Sequence, residues 1–281
     1  MQMVKLNNGV EMPILGFGVF QIPIGVECEK AVSEAIKVGY RLFDTAQAYG
    51  NEADVGNAIK KSGIDRKEFF VVTKVWISNC GEERAYRSIL ESLKKLQMDY
   101  VDLLLIHQPF GDYYGTYRAL ERAYREGKTR AIGVSNFYPD RFVDLCHFVE
   151  VKPMVNQVET HVFNQQHRAN EIMKKYNCQI MSWGPFAEGK NNLFTNEILT
   201  EIGKKYNKVA SQVALRFLID ENVIVIPKSV KPERMVQNFD VFDFKLSADD
   251  MEKIHKLDMS ESLFINHHSA DAVEYLIGYK I

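Results

Sequence analysis

Cysteine is sparse in this sequence and scattered. The four residues Cys28, Cys80, Cys146 and Cys178 form no C-x-x-C pair. That argues against a zinc knuckle or a dithiol redox motif, and reads as reduced thiols in a cytoplasmic protein. No apolar run approaches the ~18 residues of a bilayer span, so no membrane association is expected. The opening Met1-Gln2-Met3-Val4-Lys5-Leu6-Asn7 lacks the order of a secretory leader. Lysine and arginine total 35 against 37 aspartate and glutamate, a formal net charge of −2. The basic residues do not cluster, so nucleic acid is not expected as a partner. No Ser/Gly/Pro-rich linker, charge block or low-complexity tract interrupts the 281 residues. One domain over 1–281 is the expectation.

What is present is an alternation of short apolar runs and amphipathic stretches. Val4 to Met12 alternates around Asn8-Gly9, the pattern of a β-hairpin. Strands are predicted at 14–20, 42–44, 68–74, 101–107, 131–134, 154–158, 180–183 and 223–226. Between them fall predicted helices at 26–38, 52–61, 82–96, 117–125, 141–148, 166–176, 197–206 and 211–218. Further helices are expected at 232–238 and 248–257. Helix 82–96 carries Ala85, Ile89, Leu93 and Leu96 on one face. Strands apolar throughout, alternating eight times with helices, are the pattern of a buried parallel sheet with helical crossovers. The expected class is α/β, a (β/α)8 TIM barrel with an N-terminal β-hairpin plugging its bottom.

Four polar residues fall at or just past the ends of three successive predicted strands: Asp44 and Tyr49, Lys74, and His107. In a closed parallel barrel those ends share one rim, where such barrels do chemistry. A phenol titrates near pH ~10 and is a poor acid at neutrality. An ammonium beside it is expected to stabilise the phenolate and lower that value. A carboxylate paired with the ammonium would hold it in place. A histidine opposite would orient a substrate oxygen. The set suits carbonyl reduction, with a proton from Tyr49 and a hydride from a cofactor.

The same residues carry a family resemblance. Asp44 and Tyr49 in F-D-T-A-Q-A-Y-G-N-E, Lys74 in T-K-V-W and His107 in L-L-L-I-H-Q-P resemble the catalytic tetrad of the aldo-keto reductases. Gly133-Val134-Ser135-Asn136, Asn156-Gln157 and Ile226-Pro227-Lys228-Ser229-Val230 with Arg234 and Asn238 follow in order. The resemblance runs from about Val4 to about Leu257. It implies the same barrel, NADPH (NADP+) as cofactor, a small-molecule carbonyl substrate and a monomer. It implies that Ser135, Asn136 and Gln157 bond the nicotinamide carboxamide. Lys228, Ser229, Val230 and Arg234 would take the 2′-phosphate, with Gln237 and Asn238 near the adenine. That segment follows the eighth strand, where barrels commonly hold phosphate. No G-x-G-x-x-G loop is present, and the family uses none.

Trp183 stands where the family most often has a tyrosine stacked on the nicotinamide, and an indole can stack as well. Gly184-Pro185-Phe186 would begin the loop over the pyrophosphate. Gln108 stands where animal members often have tryptophan. The short loop 109–116 and the short tail resemble the branch holding 2,5-diketo-gluconate reductases and prostaglandin F synthases. The substrate side is expected to include Val19, Phe20, Trp76, His107, Phe110 and Tyr113.

Blander readings exist for each residue. A strand-end aspartate or tyrosine often caps or packs, and a lone lysine often lays its stem on apolar surface. Lys228 and Arg234 could form a solvated basic patch. His267-His268 lacks a spaced third metal ligand and is expected in a flexible C-terminal segment. Two rival functions are a barrel aldolase using Lys74 as a Schiff-base amine and a cofactor-binding channel subunit of the same family. The aldolase needs neither Tyr49 nor the 228–234 segment.

Overall fold

The structure, a computed structural model, describes residues 2–281. The hairpin forms from β1 (Met3–Lys5) and β2 (Glu11–Pro13), with Val4 opposite Met12. Gly9 takes a φ of 88° in its turn, where the Asn8 side chain accepts from the Val10 N–H at 3.1 Å. Val4, Leu6 and Met12 point into the core. Asn7 and Asn8 bond the carbonyls of Pro153 and Arg130, just ahead of two barrel strands. The hairpin therefore covers the N-terminal end of the barrel, as expected.

Eight parallel strands follow: β3 (Phe17–Gly18), β4 (Leu42–Asp44), β5 (Phe70–Val75), β6 (Leu103–Ile106), β7 (Ile132–Ser135), β8 (Val155–Glu159), β9 (Gln179–Trp183) and β10 (Ile224–Val225). They pair in sequence order. The ring closes where Leu15 bridges Val225 in parallel and the Gly16 N–H donates to the Val225 carbonyl at 2.8 Å. Strands β4 to β8 are buried at every residue. That is why their sequence is apolar without alternation. The first barrel strand is shorter than predicted, and at its start the chain packs closely on its neighbour. A Cβ on Gly16 would lie 2.3 Å from the Leu42 side chain.

The helices fall outside the ring. Helices α1 (Val26–Val38), α2 (Glu52–Lys61) and α3 (Glu82–Leu96) have the predicted bounds. Gly39 ends α1 with φ 122°, a conformation few other residues adopt. Helix α3 buries its apolar stripe and carries Glu82 and Glu83 in its first turn, Lys94 and Lys95 in its last, in the sense its dipole favours. Helix α4 (Tyr113–Arg125) begins one turn earlier than predicted, because Asp112 caps it by accepting from the Gly115 N–H at 2.8 Å. The wall continues with α5 (Pro139–Phe148), α6 (His167–Lys175), α7 (Glu197–Tyr206) and α8 (Ala210–Asp220). Then come α9 (Pro232–Phe239), α10 (Ala248–His255) and α11 (Ala270–Gly278).

Helix α11 was not expected, nor was the segment before it, which crosses the C-terminal rim of the barrel. His267, expected in a flexible segment, is 2 % exposed. Among the described residues no helix is long and apolar enough to cross a membrane, and no cluster of His, Cys, Asp or Glu could hold a metal ion. The four cysteines are free.

Candidate active site

Strand β4 ends in Asp44, which pairs with Val72 of β5, and Lys74 lies two residues further along β5. Both are buried, and Lys74 Nζ lies 2.5 Å from Asp44 Oδ1. A charge pair this deep is costly unless its remaining hydrogen-bonding groups are satisfied. They are: Lys74 Nζ also donates to the Thr45 carbonyl at 3.0 Å and to the Tyr49 hydroxyl at 3.4 Å. The other carboxylate oxygen of Asp44 accepts from Gln157 Nε2 at 2.9 Å. Burial pulls the Lys74 ammonium down from its usual value while Asp44 pushes it back up.

Tyr49 sits in a single 3-10 turn, Gln47–Tyr49, between β4 and α2. Gln47 and Asn51 flank it from below. Gln47 accepts from the Trp76 N–H at 3.0 Å and Asn79 Nδ2 at 2.9 Å. Asn51 joins Thr45 Oγ1 to the Val19 carbonyl. Sequence reasoning missed both amides, although they lie in the Asp44–Glu52 stretch. Tyr49 itself is half-buried. Its phenol is held well above its usual value by burial and then by Asp44. This corrects the expectation that Lys74 would lower it: the cost of charging a buried phenol comes first, and the nearby Asp44 carboxylate adds to it.

His107 follows β6. Its ring meets Tyr49 edge-on at 5.5 Å and Trp76 at 5.0 Å between centroids. Burial, Lys74 and His267 hold the imidazole well below its usual value, so it is neutral at neutral pH. Nδ1 is buried without a partner.

Ser135, Asn136 and Gln157, at the ends of β7 and β8, are buried and bonded to their surroundings. Ser135 Oγ donates to the Gln157 carbonyl at 2.8 Å. Asn136, with φ 63°, donates to the His107 carbonyl at 3.1 Å and accepts from the Trp183 indole N–H at 2.8 Å. Trp183 is half-buried and meets Phe264 edge-on at 5.4 Å. Gly184 takes φ 63°, Pro185 is buried and Phe186 packs on Phe194.

After β10 the chain presents Lys228 and Arg234, both exposed and without an acidic partner among the described residues. Between them lie Ser229, which is buried and accepts from the Lys231 N–H at 3.1 Å, and exposed Val230. Gln237 is half-buried and Asn238 buried on α9. Two unpaired cations beside the N-terminal end of a helix fit an anionic group.

On the open side, Phe20 packs on Tyr49 at 4.9 Å. Trp76 and Phe110 form a small apolar cluster with Leu276. Val19 and Tyr113 do not line this side. Val19 is sealed in the core, and Tyr113 packs on Phe137 with its hydroxyl toward Asp144.

A closed parallel barrel with a buried lysine set between a carboxylate and a phenol at its C-terminal rim defines a barrel enzyme. The chain belongs to the aldo/keto reductase family, whose profile matches residues 15–259. It is 47% identical over 259 residues to the glyoxal reductase of Bacillus subtilis, covering 92% of this chain and 93% of that one. It is 39% identical over 263 residues to a methylglyoxal reductase of Escherichia coli O157:H7, covering 92% and 94%. Among solved structures, an aldo-keto reductase from a deep-sea metagenome library superposes with a TM-score of 0.93 at 45% identity, covering 95% of this chain and 99% of that one. A Bombyx mori aldo-keto reductase solved in complex with NADP superposes with a TM-score of 0.87 at 32% identity, covering 93% and 94%.

Proposed function

We propose that this protein is an NADPH-dependent reductase of aldehydes or ketones, acting as a single barrel domain, with Tyr49 as the proton donor. The observation that carries the reading is the Lys74 ammonium fixed between Asp44 and the Tyr49 hydroxyl at the C-terminal rim. NADPH, when bound there, would supply the hydride for the carbonyl carbon. As negative charge grows on the carbonyl oxygen, Tyr49 gives it the phenolic proton. An alkoxide is a stronger base than a phenolate, so a phenol that stays protonated at neutral pH is still acid enough. Lys74 stabilises the phenolate left behind, and Asp44 keeps the ammonium aimed. Neutral His107 donates a hydrogen bond to the carbonyl oxygen and fixes its direction.

The cofactor's nicotinamide end falls to Trp183 for stacking and to Ser135, Asn136 and Gln157 for the carboxamide. Gly184, Pro185 and Phe186 would flank the pyrophosphate. Lys228, Ser229, Val230 and Arg234 would meet the 2′-phosphate, with Gln237 and Asn238 by the adenine. Phe20, Trp76 and Phe110 wall the carbonyl side. The same geometry speaks against a Schiff-base role for Lys74, whose nitrogen is committed to three oxygens.

The test is NADPH oxidation, followed by the cofactor's absorbance, over glyoxal, methylglyoxal, aromatic aldehydes, keto-sugars and quinones. Turnover of at least one class is expected. No turnover across the panel, with borohydride trapping a substrate on Lys74, would replace this reading with the aldolase one.

A further inference from the structure

Residues 259–281 cross the rim as a strap attached at several points along its length. Ser262 Oγ donates to Glu159 Oε2 at 2.5 Å, and the Leu263 N–H donates to Glu159 Oε1 at 2.8 Å. Phe264 lies edge-on to Trp183. His267 is held between Phe110, nearly parallel at 6.3 Å, and Tyr138 at 5.6 Å. The Tyr279 carbonyl accepts from the Trp76 indole N–H at 2.7 Å.

One of these attachments reaches the interior of the site. His267 Nε2 lies 3.0 Å from Gln108 Oε1, and the same oxygen accepts from Asn136 Nδ2 at 3.3 Å. The sense of these bonds is set from the inside outward. Asn136 must turn its NH2 to the His107 carbonyl and its oxygen to the Trp183 N–H. Gln108 must then present oxygen to Asn136, since the reverse would set donor against donor. A bond from His267 to that oxygen therefore needs the ring proton on Nε2. Its Nδ1 lies 3.2 Å from the Ile265 carbonyl. Only an imidazolium could satisfy both oxygens. Burial pulls this ring down to about 4, so it is neutral and donates to one of the two oxygens; we assign the proton to the shorter contact, Nε2 to Gln108 at 3.0 Å against 3.2 Å to Ile265.

We infer that His267, acting through Gln108, is a positioning residue that couples the closed strap to the orientation of Asn136 and Trp183. The inference rests on the proposed role of those two residues toward the nicotinamide. The strap roofs the carbonyl side through Leu276, which packs with Trp76 and Phe110. The latch thus makes the roof over the carbonyl and the seat of the nicotinamide one unit. By reciprocity, a closed strap favours nicotinamide binding and bound nicotinamide favours the closed strap.

The experiment measures backbone hydrogen exchange across 259–281, with and without NADP+, and NADP+ affinity. It compares wild type with His267→Leu, His267→Gln and His268→Leu. Leucine removes the donor, glutamine restores an N–H of similar reach, and His268 is exposed on the same strap. NADP+ should slow strap exchange in the wild type. His267→Leu should quicken exchange in the cofactor-free protein and weaken NADP+ by about tenfold, the scale of one buried hydrogen bond. His267→Gln should recover most of both, and His268→Leu should change neither. A strap that loosens in His267→Leu while NADP+ affinity is unchanged would show packing without coupling, and would overturn the inference. So would leucine and glutamine variants that behave alike. If instead Trp183→Ala binds NADP+ as tightly as wild type, the nicotinamide reading fails. Exchange in the cofactor-free variants still judges the latch itself.

Discussion

The two charged regions of this rim are built in opposite ways. Around Lys74 the charge is buried, and each polar atom of the ammonium and carboxylate has a partner. At Lys228 and Arg234 the charge is exposed and unpaired among the described residues. The difference follows from what each region is proposed to do. A group that stabilises charge forming during a reaction works best when fixed and dry beforehand, because no solvent then has to reorganise. A group that captures an anion from solution must stay open until the anion arrives. The first kind of site should be fragile to single substitutions and indifferent to salt. The second should tolerate substitution and respond to salt.

The largest expected effect lies at the buried end. Tyr49→Phe removes one hydroxyl and leaves the ion pair in place. Turnover should fall by at least ~100-fold, the usual range for loss of a general acid, with NADPH affinity unchanged. A variant with near-normal kcat would detach the phenol from the chemistry.

Next comes the ion pair. Lys74→Met strands the Asp44 carboxylate in the interior, a change that typically costs about 3–5 kcal/mol. Removing both charges, as Lys74→Met with Asp44→Leu, should recover most of that stability and none of the activity. Denaturant midpoints of the two variants separate the cases. A double variant no more stable than the single one would mean that the pair's worth lies in packing rather than in mutual neutralisation.

The buried site and the strap that crosses it differed in how plainly they could be read. Asp44, Tyr49, Lys74 and His107 were visible because each ends an apolar run or follows one closely, and strand ends fix position. Helices α1 to α3 and α7 were legible to the residue, having amphipathic faces and glycine or polar stops. The strap was not. Its helix, Ala270–Gly278, leaves Tyr275 and Ile277 exposed beside buried Leu276, so no face stands out in the sequence. Ser269, which caps it by accepting from the Ala272 N–H at 3.2 Å, was the available signal. The first turn of α4 was missed similarly, since Asp112 as a cap outweighs the poor helix propensity of Gly115. The phenol's direction was not legible because it is set first by burial, which strand-end spacing does not reveal, and then by the Asp44 charge.

Burial of histidine gives the third expectation. His267 is pulled down to about 4, and His107 falls well below its usual value of 6.5. Both are neutral when folded, while the unfolded chain takes up their protons as pH drops through about 6.5. The unfolded state therefore binds more protons in that range, and stability falls with falling pH. The contribution is complete above about 6.5 and is lost progressively toward the depressed folded values. His267→Gln should reduce the slope of stability against pH by up to about one proton between pH ~4 and ~6.5. An unchanged slope would mean that the strap opens before the protein unfolds, letting His267 titrate in water.

The exposed end should give the smallest and most salt-dependent effect. NADPH and NADH differ only in the 2′-phosphate, so any preference must come from groups that meet it. Lys228 offers a point charge and Arg234 a planar fork able to make paired, charge-assisted bonds. Such bonds are worth ~1.5–3 kcal/mol each, roughly tenfold or more in affinity. Because both cations are exposed, screening at ordinary ionic strength brings the expectation to the lower end of that range. Arg234→Ala should weaken NADPH by about tenfold and leave NADH nearly untouched, narrowing the gap between them. Raising salt should have the same selective effect on the wild type and less on the variant, since the charge it screens is already gone. The same salt should leave kcat unmoved at saturating NADPH, because the ion pair at Lys74 is closed to water. Fluorescence titration of both cofactors at two ionic strengths measures all of this. Equal losses for NADPH and NADH in Arg234→Ala would show that the arginine does not read the 2′-phosphate. A kcat that falls with salt would show that the buried pair is less sealed than its burial implies, and the contrast between the two regions would narrow.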